Sequence, residues 1–158
     1  MAAKKSKSKK KGNSKRPGRR ENPQATKQPH GAEKVAQASK ELVAWRIRLL
    51  DDDGPWGWHR VDRETVVHNV LAKLRDFETM TFDEIMSRGG GSHPIPVKDL
   101  CSDAQVRLEE IGQDDVDELF SLRLKGEERV YGIRDRNVYK ILWWDPNHEV
   151  CPSALKHT

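Results

Sequence analysis

Six basic side chains crowd the stretch between residues 123 and 140: Arg123, Lys125, Arg129, Arg134, Arg136 and Lys140. Three acids, Glu127, Glu128 and Asp135, share the span. Four of the six cations are arginine, whose planar fork matches a phosphate better than the lysine point charge does. The run is either a solvated strand face or a phosphate-binding groove. Tyr131 lies inside it, and Trp143-Trp144-Asp145-Pro146-Asn147-His148 follows closely. Asp145 and His148 face each other across a Pro-Asn turn. A carboxylate bonded to an imidazole orients the ring and raises its pKa toward neutrality, which suits a general acid or base and equally suits a purely structural turn. Adjacent tryptophans on a strand point to opposite faces, so one is expected in the core and the other partly exposed; an exposed Trp144 would stack on a base.

Elsewhere the chemistry-bearing residues are scattered. His93, Cys101, His148 and Cys151 are zinc-ligand types without paired ligand spacing, so no metal is expected. No phosphate-binding loop, dinucleotide fingerprint, serine-nucleophile elbow or paired-carboxylate motif occurs, and no cofactor is expected. The two cysteines, far apart and without a CxxC, fit buried or half-buried thiols in a reducing cytoplasm better than a disulfide scaffold.

The elements that would position these residues are legible from periodicity. Val43, Trp45, Ile47 and Leu49 alternate with Ala44, Arg46, Arg48 and Leu50, which predicts a strand. The Asp51-Asp52-Asp53-Gly54-Pro55 turn leads to Trp56–Val61, a second strand or a packed loop. Asp62 caps a helix whose apolar residues, Val66, Val67, Val70, Leu71, Leu74 and Phe77, recur at helical spacing. Thr81 and Glu84 form a capping box, with Met80 placed to staple Ile85, and Gly89-Gly90-Gly91 ends that helix. Pro94 and Pro96 force residues 92–96 out of a helix. Ser102 and Gln105 suggest another capping box ahead of Ala104, Leu108 and Ile111. Three strands then follow without a helix between them: Phe120–Leu124, Arg129–Arg134 and Val138–Trp144. Gly132 inside the second of them marks a bulge or a close approach of another group, a bulge being expected. The whole predicts an α+β fold, a small antiparallel sheet with the helices packed on one face.

Charge divides the chain. Residues 1–40 carry 13 Lys and Arg against 2 Asp and Glu, while residues 41–158 carry 16 against 23. Residues 1–40, opening MAAKKSKSKKKGNSKRPGRR and reaching a large apolar side chain only at Val35, are expected to be a disordered tail, either solubilising or weakly phosphate-binding. Residues 41–158 are expected to form a single domain. No signal peptide or membrane-spanning run is visible, so a cytoplasmic location with no membrane contact is expected.

The order of elements, together with the run LFSLRLKGEERVYGIRDRNVYKILWWDPNHEVC, resembles the RelE/ParE-type toxin superfamily. Leu122-Arg123-Leu124, Arg129-Val130-Tyr131 and Ile141-Leu142-Trp143 stand where that superfamily carries its strand motifs. The segment from Phe120 to Thr158 is also similar to the end of small uncharacterised bacterial proteins that finish with W-W-D-P-x-H. The first resemblance implies a metal-independent endoribonuclease acting on RNA at the ribosome, with a cognate antitoxin as partner. It would make Arg129 and Arg134 the phosphate clamp and Lys125 its helper. Tyr131 or His148 would exchange the proton, with Asp145 orienting His148. Arg123, Lys125, Arg136, Lys140 and Trp144 would bind the nucleic acid. The alternative is a non-catalytic module of the same fold that binds RNA or a protein. The long helical insertion, the acidic stretch at 109–118 and the added tail depart from the superfamily pattern.

Overall fold

A computed structural model of the chain describes residues 40–152; the basic N-terminal arm and the C-terminal residues, His157 among them, lie outside the described residues. Five strands form one sheet in the order β1-β5-β4-β3-β2. They are β1 (Ala44–Arg46), β2 (His93–Pro96), β3 (Glu118–Arg123), β4 (Arg129–Asp135) and β5 (Val138–Asp145). β3, β4 and β5 make the antiparallel meander that their alternation predicts. β1 joins β5 in parallel, so the sheet is mixed. The proline-containing segment is β2, paired with β3 at the far edge, where missing N–H donors are tolerated.

Helix α1 runs through Arg63–Thr65, a π-helical Val66–Leu71 and Ala72–Phe77. Asp62 caps it, accepting from the Thr65 N–H at 2.8 Å. Val70, Leu74 and Phe77 are buried, whereas Val67 and Leu71 are exposed. The wider π turn changes the angular step and carries those two off the core face. Helix α2 (Phe82–Ser87) starts with the expected capping box: the Glu84 N–H donates to Thr81 Oγ1 and the Thr81 N–H to Glu84 Oε2. Met80 and Ile85 share its apolar cluster. Helix α3 (Ser102–Glu110) does not form the expected Ser102–Gln105 box. Cys101 is its N-cap, and Gln105 Nε2 instead donates to the Leu100 carbonyl at 2.9 Å.

The helices occupy both faces of the sheet, which corrects the one-face arrangement expected. α1 and α2 pack Val70, Leu74, Phe77, Phe82 and Ile85 against Phe120, Leu122, Val130, Tyr139, Ile141 and Trp144. α3 packs Ala104 and Leu108 against Leu119, Tyr131, Leu142, Trp143 and Val150 on the opposite face. The cause lies in β5: Ile141-Leu142-Trp143-Trp144 has no polar face and requires cover on both sides.

One residue of β5 is extra. Tyr131 pairs with Trp143 and Gly132 with Ile141, so Leu142 forms the bulge. Its carbonyl accepts from the Asp51 N–H at 3.1 Å and from Trp58 Nε1 at 2.9 Å, and the Trp144 N–H donates to the Trp56 carbonyl. The 51–58 loop thus continues the sheet edge beyond the short β1. Trp56–Val61 is this packed loop, with a 3-10 turn at Trp58–Arg60. Gly132 is needed for another reason. A Cβ there would sit 2.5 Å from the Lys140 carbonyl oxygen and 2.6 Å from the Tyr139 ring. That ring crosses the strand to place its hydroxyl between the Phe120 and Val130 carbonyls, at 2.7 and 2.8 Å.

Candidate nucleic-acid interface

The meander separates the six cations into two groups at opposite ends of the sheet. Arg123, Lys125 and Arg129 surround the β3–β4 turn; Arg134, Arg136 and Lys140 surround the β4–β5 turn. Arg129 and Arg134 are about 16 Å apart at the strand rise. They also point to opposite faces. Arg129 shares the α3 face with Tyr131, whereas Arg134 lies over the Phe82 ring on the α1–α2 face, 4.4 Å from its centroid. Because the bulge is in β5, β4 alternates regularly, and nothing swings either guanidinium across. The two-arginine phosphate clamp is not formed.

Of the other residues of the expected catalytic set, Tyr131 and Asp145 are buried and His148 stands apart from both arginine groups' strand positions, in the turn after β5. Tyr131 is fully buried, and burial pushes its phenol up to about 12, with the neighbouring Ser121 hydroxyl opposing. Asp145 is fully buried. Its carboxylate accepts from the backbone N–H groups of Asn147 (3.3 Å), Glu149 (3.0 Å) and Val150 (2.9 Å), not from His148. It folds the chain back after β5 rather than orienting an imidazole. His148 is half-buried in a left-handed turn at φ 57°. Tyr131 and Asp145, fully buried, cannot reach a substrate to exchange a proton with it.

Neither tryptophan offers a free face, contrary to the expectation of one partly exposed. Trp144 packs beside Trp58 with ring centroids 6.4 Å apart, and Trp143 lies against Trp56 on the other face. Lys140 pairs with Asp135 at 3.2 Å, and Arg136 approaches the same carboxylate at 3.8 Å. Among the described residues no three metal-ligating side chains converge, so His93, Cys101, His148 and Cys151 do not form a zinc site.

Arg123 and Arg129, directly opposite on β3 and β4, brace the hairpin turn. Arg123 Nε (3.1 Å) and Arg129 Nη1 (2.9 Å) both donate to the Gly126 carbonyl. Burial, and then the neighbouring Arg123 charge, lower the Arg129 pKa. Arg123 also reaches the Gly90 carbonyl at 3.4 Å, tying the turn to the glycine exit of α2.

Where α1, the exit of α2 and the β3–β4 turn meet lies a cleft of about 370 Å³ with Lys73, Arg88, Arg123 and Lys125 around an apolar floor that includes Phe77 and Leu124. No acidic side chain lines it. Among the described residues none of these four cations is ion-paired, unlike Arg107, Arg136 and Lys140. Two hollows of similar size share Lys73 with it, one lined also by Arg75 and Arg88 and the other by His68 and Lys125; Asp76 lies in both and Glu128 in the second, so acids sit on the flanks of the cleft. The chain enters the domain beside this surface, since the Val43 N–H donates to the Met80 carbonyl at 2.9 Å and Met80 lines the Arg75 hollow. Arg123 and Lys125 belong to the basic run legible in the sequence, whereas Lys73 on α1 and Arg88, the C-cap of α2, lie far upstream with no local signal.

A second group reads in sequence only as a turn. Asp51, buried, accepts from Arg107 Nε (2.8 Å) and Nη2 (2.6 Å), Trp143 Nε1 (2.9 Å) and the Asp53 N–H (3.1 Å). It locks the 51–58 loop to α3 and β5.

Comparison with known proteins finds no matching family model, curated protein or solved structure. The architecture is therefore an α+β fold with a five-stranded mixed sheet. Among the described residues no helix is long and apolar enough to cross a membrane.

Proposed function

We propose that this protein is a non-catalytic nucleic-acid-binding module that holds a polynucleotide backbone in the cleft of Lys73, Arg88, Arg123 and Lys125. The observation that carries the reading is this group of unpaired cations with no acid among them. A phosphate entering the cleft displaces counterions rather than an existing carboxylate partner. The basic arm, +11 over residues 1–40, joins the domain next to the same surface and adds sequence-independent attraction. The buried tryptophans leave no stacking platform in the meander, so recognition is of the backbone rather than of bases.

The competing reading is a RelE/ParE-type endoribonuclease toxin. It requires Arg129, Arg134, Tyr131 and His148 around one phosphate, and predicts growth arrest with RNA cleavage on induction. The test is binding of the full chain to a labelled single-stranded oligonucleotide, RNA and DNA in parallel, across a salt series. Lys73→Glu and Arg88→Glu should each weaken binding several-fold and flatten the plot of log K against log salt by about 0.7 for each phosphate that is no longer neutralised. Arg134→Glu and Arg136→Glu, at the far end of the sheet, should leave affinity unchanged. An equal weakening by substitutions at both ends would refute the cleft.

A further inference from the structure

Cys101 and Cys151 are distant in sequence, but the fold sets them side by side. The Cys101 N–H donates to the Val150 carbonyl at 2.8 Å. By covalent geometry that bond brings the two cysteine Cα atoms within roughly 4–7 Å, about the separation a disulfide spans. Both thiols are free and half-buried, and both pack against the same apolar cluster beside α3. Their proximity also appears in the electrostatics. Burial raises the Cys151 pKa, and Asp99 and the Cys101 thiol add to the rise.

The two backbones are held in place independently of the sulfurs. Asp145 fixes the N–H groups of Glu149 and Val150 from one side. On the other side, Cys101 is the N-cap of α3, and its carbonyl accepts from the Ala104 N–H at 3.1 Å. A bridge would therefore join two segments that the fold already fixes, with the Cys151 thiol leaving the Asp99 carbonyl 3.5 Å away. No third metal-ligating side chain joins the pair among the described residues, so the arrangement suits a disulfide rather than a metal.

We propose that Cys101 and Cys151 form an oxidisable dithiol, a modification site at which an intramolecular disulfide joins the start of α3 to the segment after β5. The oxidant is a low-molecular-weight disulfide such as oxidised glutathione. One cysteine thiolate attacks it, forming a mixed disulfide and releasing one glutathione thiolate. The second cysteine thiolate then attacks the protein sulfur of that mixed disulfide and releases the other. Two protein S–H bonds are lost and one S–S bond forms. The two electrons and both protons end on two molecules of reduced glutathione. The inference is independent of the nucleic-acid reading.

The test equilibrates the full chain in glutathione redox buffers, quenches with acid, and reads intact mass and the cross-linked peptide. The native protein should lose about 2 Da and yield a Cys101–Cys151 peptide. Its disulfide should form at a reduced-to-oxidised glutathione ratio at least about ten-fold more reducing than the same chain needs in urea, because the fold pre-positions the thiols. Cys101→Ser and Cys151→Ser should each abolish the mass loss. If either serine variant fails to fold, the native-versus-urea comparison on the unaltered chain decides. Equal closure in urea, glutathione adducts on both cysteines without closure, or covalent dimers in place of the internal bridge would overturn the proposal.

Discussion

Asp51→Asn removes one charge from the most heavily bonded side chain of the described domain. Oδ1 accepts from Arg107 Nη2 and the Asp53 N–H, and Oδ2 from Arg107 Nε and Trp143 Nε1. Every partner is a donor. Whichever way the asparagine amide turns, its NH2 group meets two donors, and Arg107 loses its buried counter-charge. Removing one partner of a buried ion pair costs about 3–5 kcal/mol. Arg107 is 18% exposed and keeps Glu110 at 2.8 Å. That relief lowers the expectation to about 2–4 kcal/mol, a large part of the ~5–15 kcal/mol by which domains are stable. Urea unfolding followed by tryptophan fluorescence reads it directly. In a double-mutant cycle, Arg107→Met should show a coupling of about 0.5–3 kcal/mol with Asp51→Asn. The pH dependence gives a separate check. Burial raises the Asp51 pKa, but the bonds from Arg107, Trp143 and Asp53 outweigh it, and the net shift is downward. A carboxylate with a lowered folded pKa contributes stability above its unfolded value of about 3.9 and loses it as pH falls through the folded value. The gap between the native protein and Asp51→Asn should therefore hold steady above about pH 5 and close below about pH 4. A difference under about 0.5 kcal/mol at neutral pH, with no coupling to Arg107, would refute the argument.

Gly132→Ala should cost about 1–3 kcal/mol or more in the same unfolding assay, because backbone as well as the Tyr139 ring blocks the added methyl. Asp145→Ala should speed amide exchange at Asn147, Glu149 and Val150 by releasing three backbone donors, while leaving β3 and β4 protected. Leu142→Ala should cost about 2–5 kcal/mol, since the side chain is fully buried. Deleting residues 1–39 should leave the melting temperature nearly unchanged and reduce the salt slope of nucleic-acid binding.

Local signals in the sequence carry most of the elements. Thr81 and Glu84 are three residues apart, and Met80 and Ile85 flank them, so one helical turn contains the whole capping argument. Alternation in Phe120–Leu124 and the apolar run of Val138–Trp144 likewise need only neighbours. What escapes depends on residues meeting from afar. The Asp51–Arg107–Trp143 group joins a loop, a helix and a strand, and its aspartate reads locally as turn composition. Gly132 does signal a close approach, of the Lys140 carbonyl and the Tyr139 ring, but the extra residue of the irregular ladder falls opposite it in β5. The basic run conceals its own division, since strand length alone carries Arg123 and Arg136 to different ends of the sheet. The cationic cleft takes half its cations from α1 and the C-cap of α2.

The parallel pairing of β1 with β5 has a consequence for the order in which the chain can acquire structure. Ala44 finds its partner at Val138, so the first strand of the domain closes on the last. During synthesis α1 and α2 emerge long before the strands that cover their apolar faces. Phe120 and Leu122 of β3 give the first cover, and the apolar faces of Val70, Leu74 and Phe82 are not fully sheltered until Val130, Tyr139 and Ile141 have left the ribosome. Long-range closure of this kind slows folding and keeps nascent hydrophobic surface exposed. The domain should therefore fold as one late, cooperative event, and a chain stopped before β5 should be captured by chaperones or proteases rather than persist as a shorter fold.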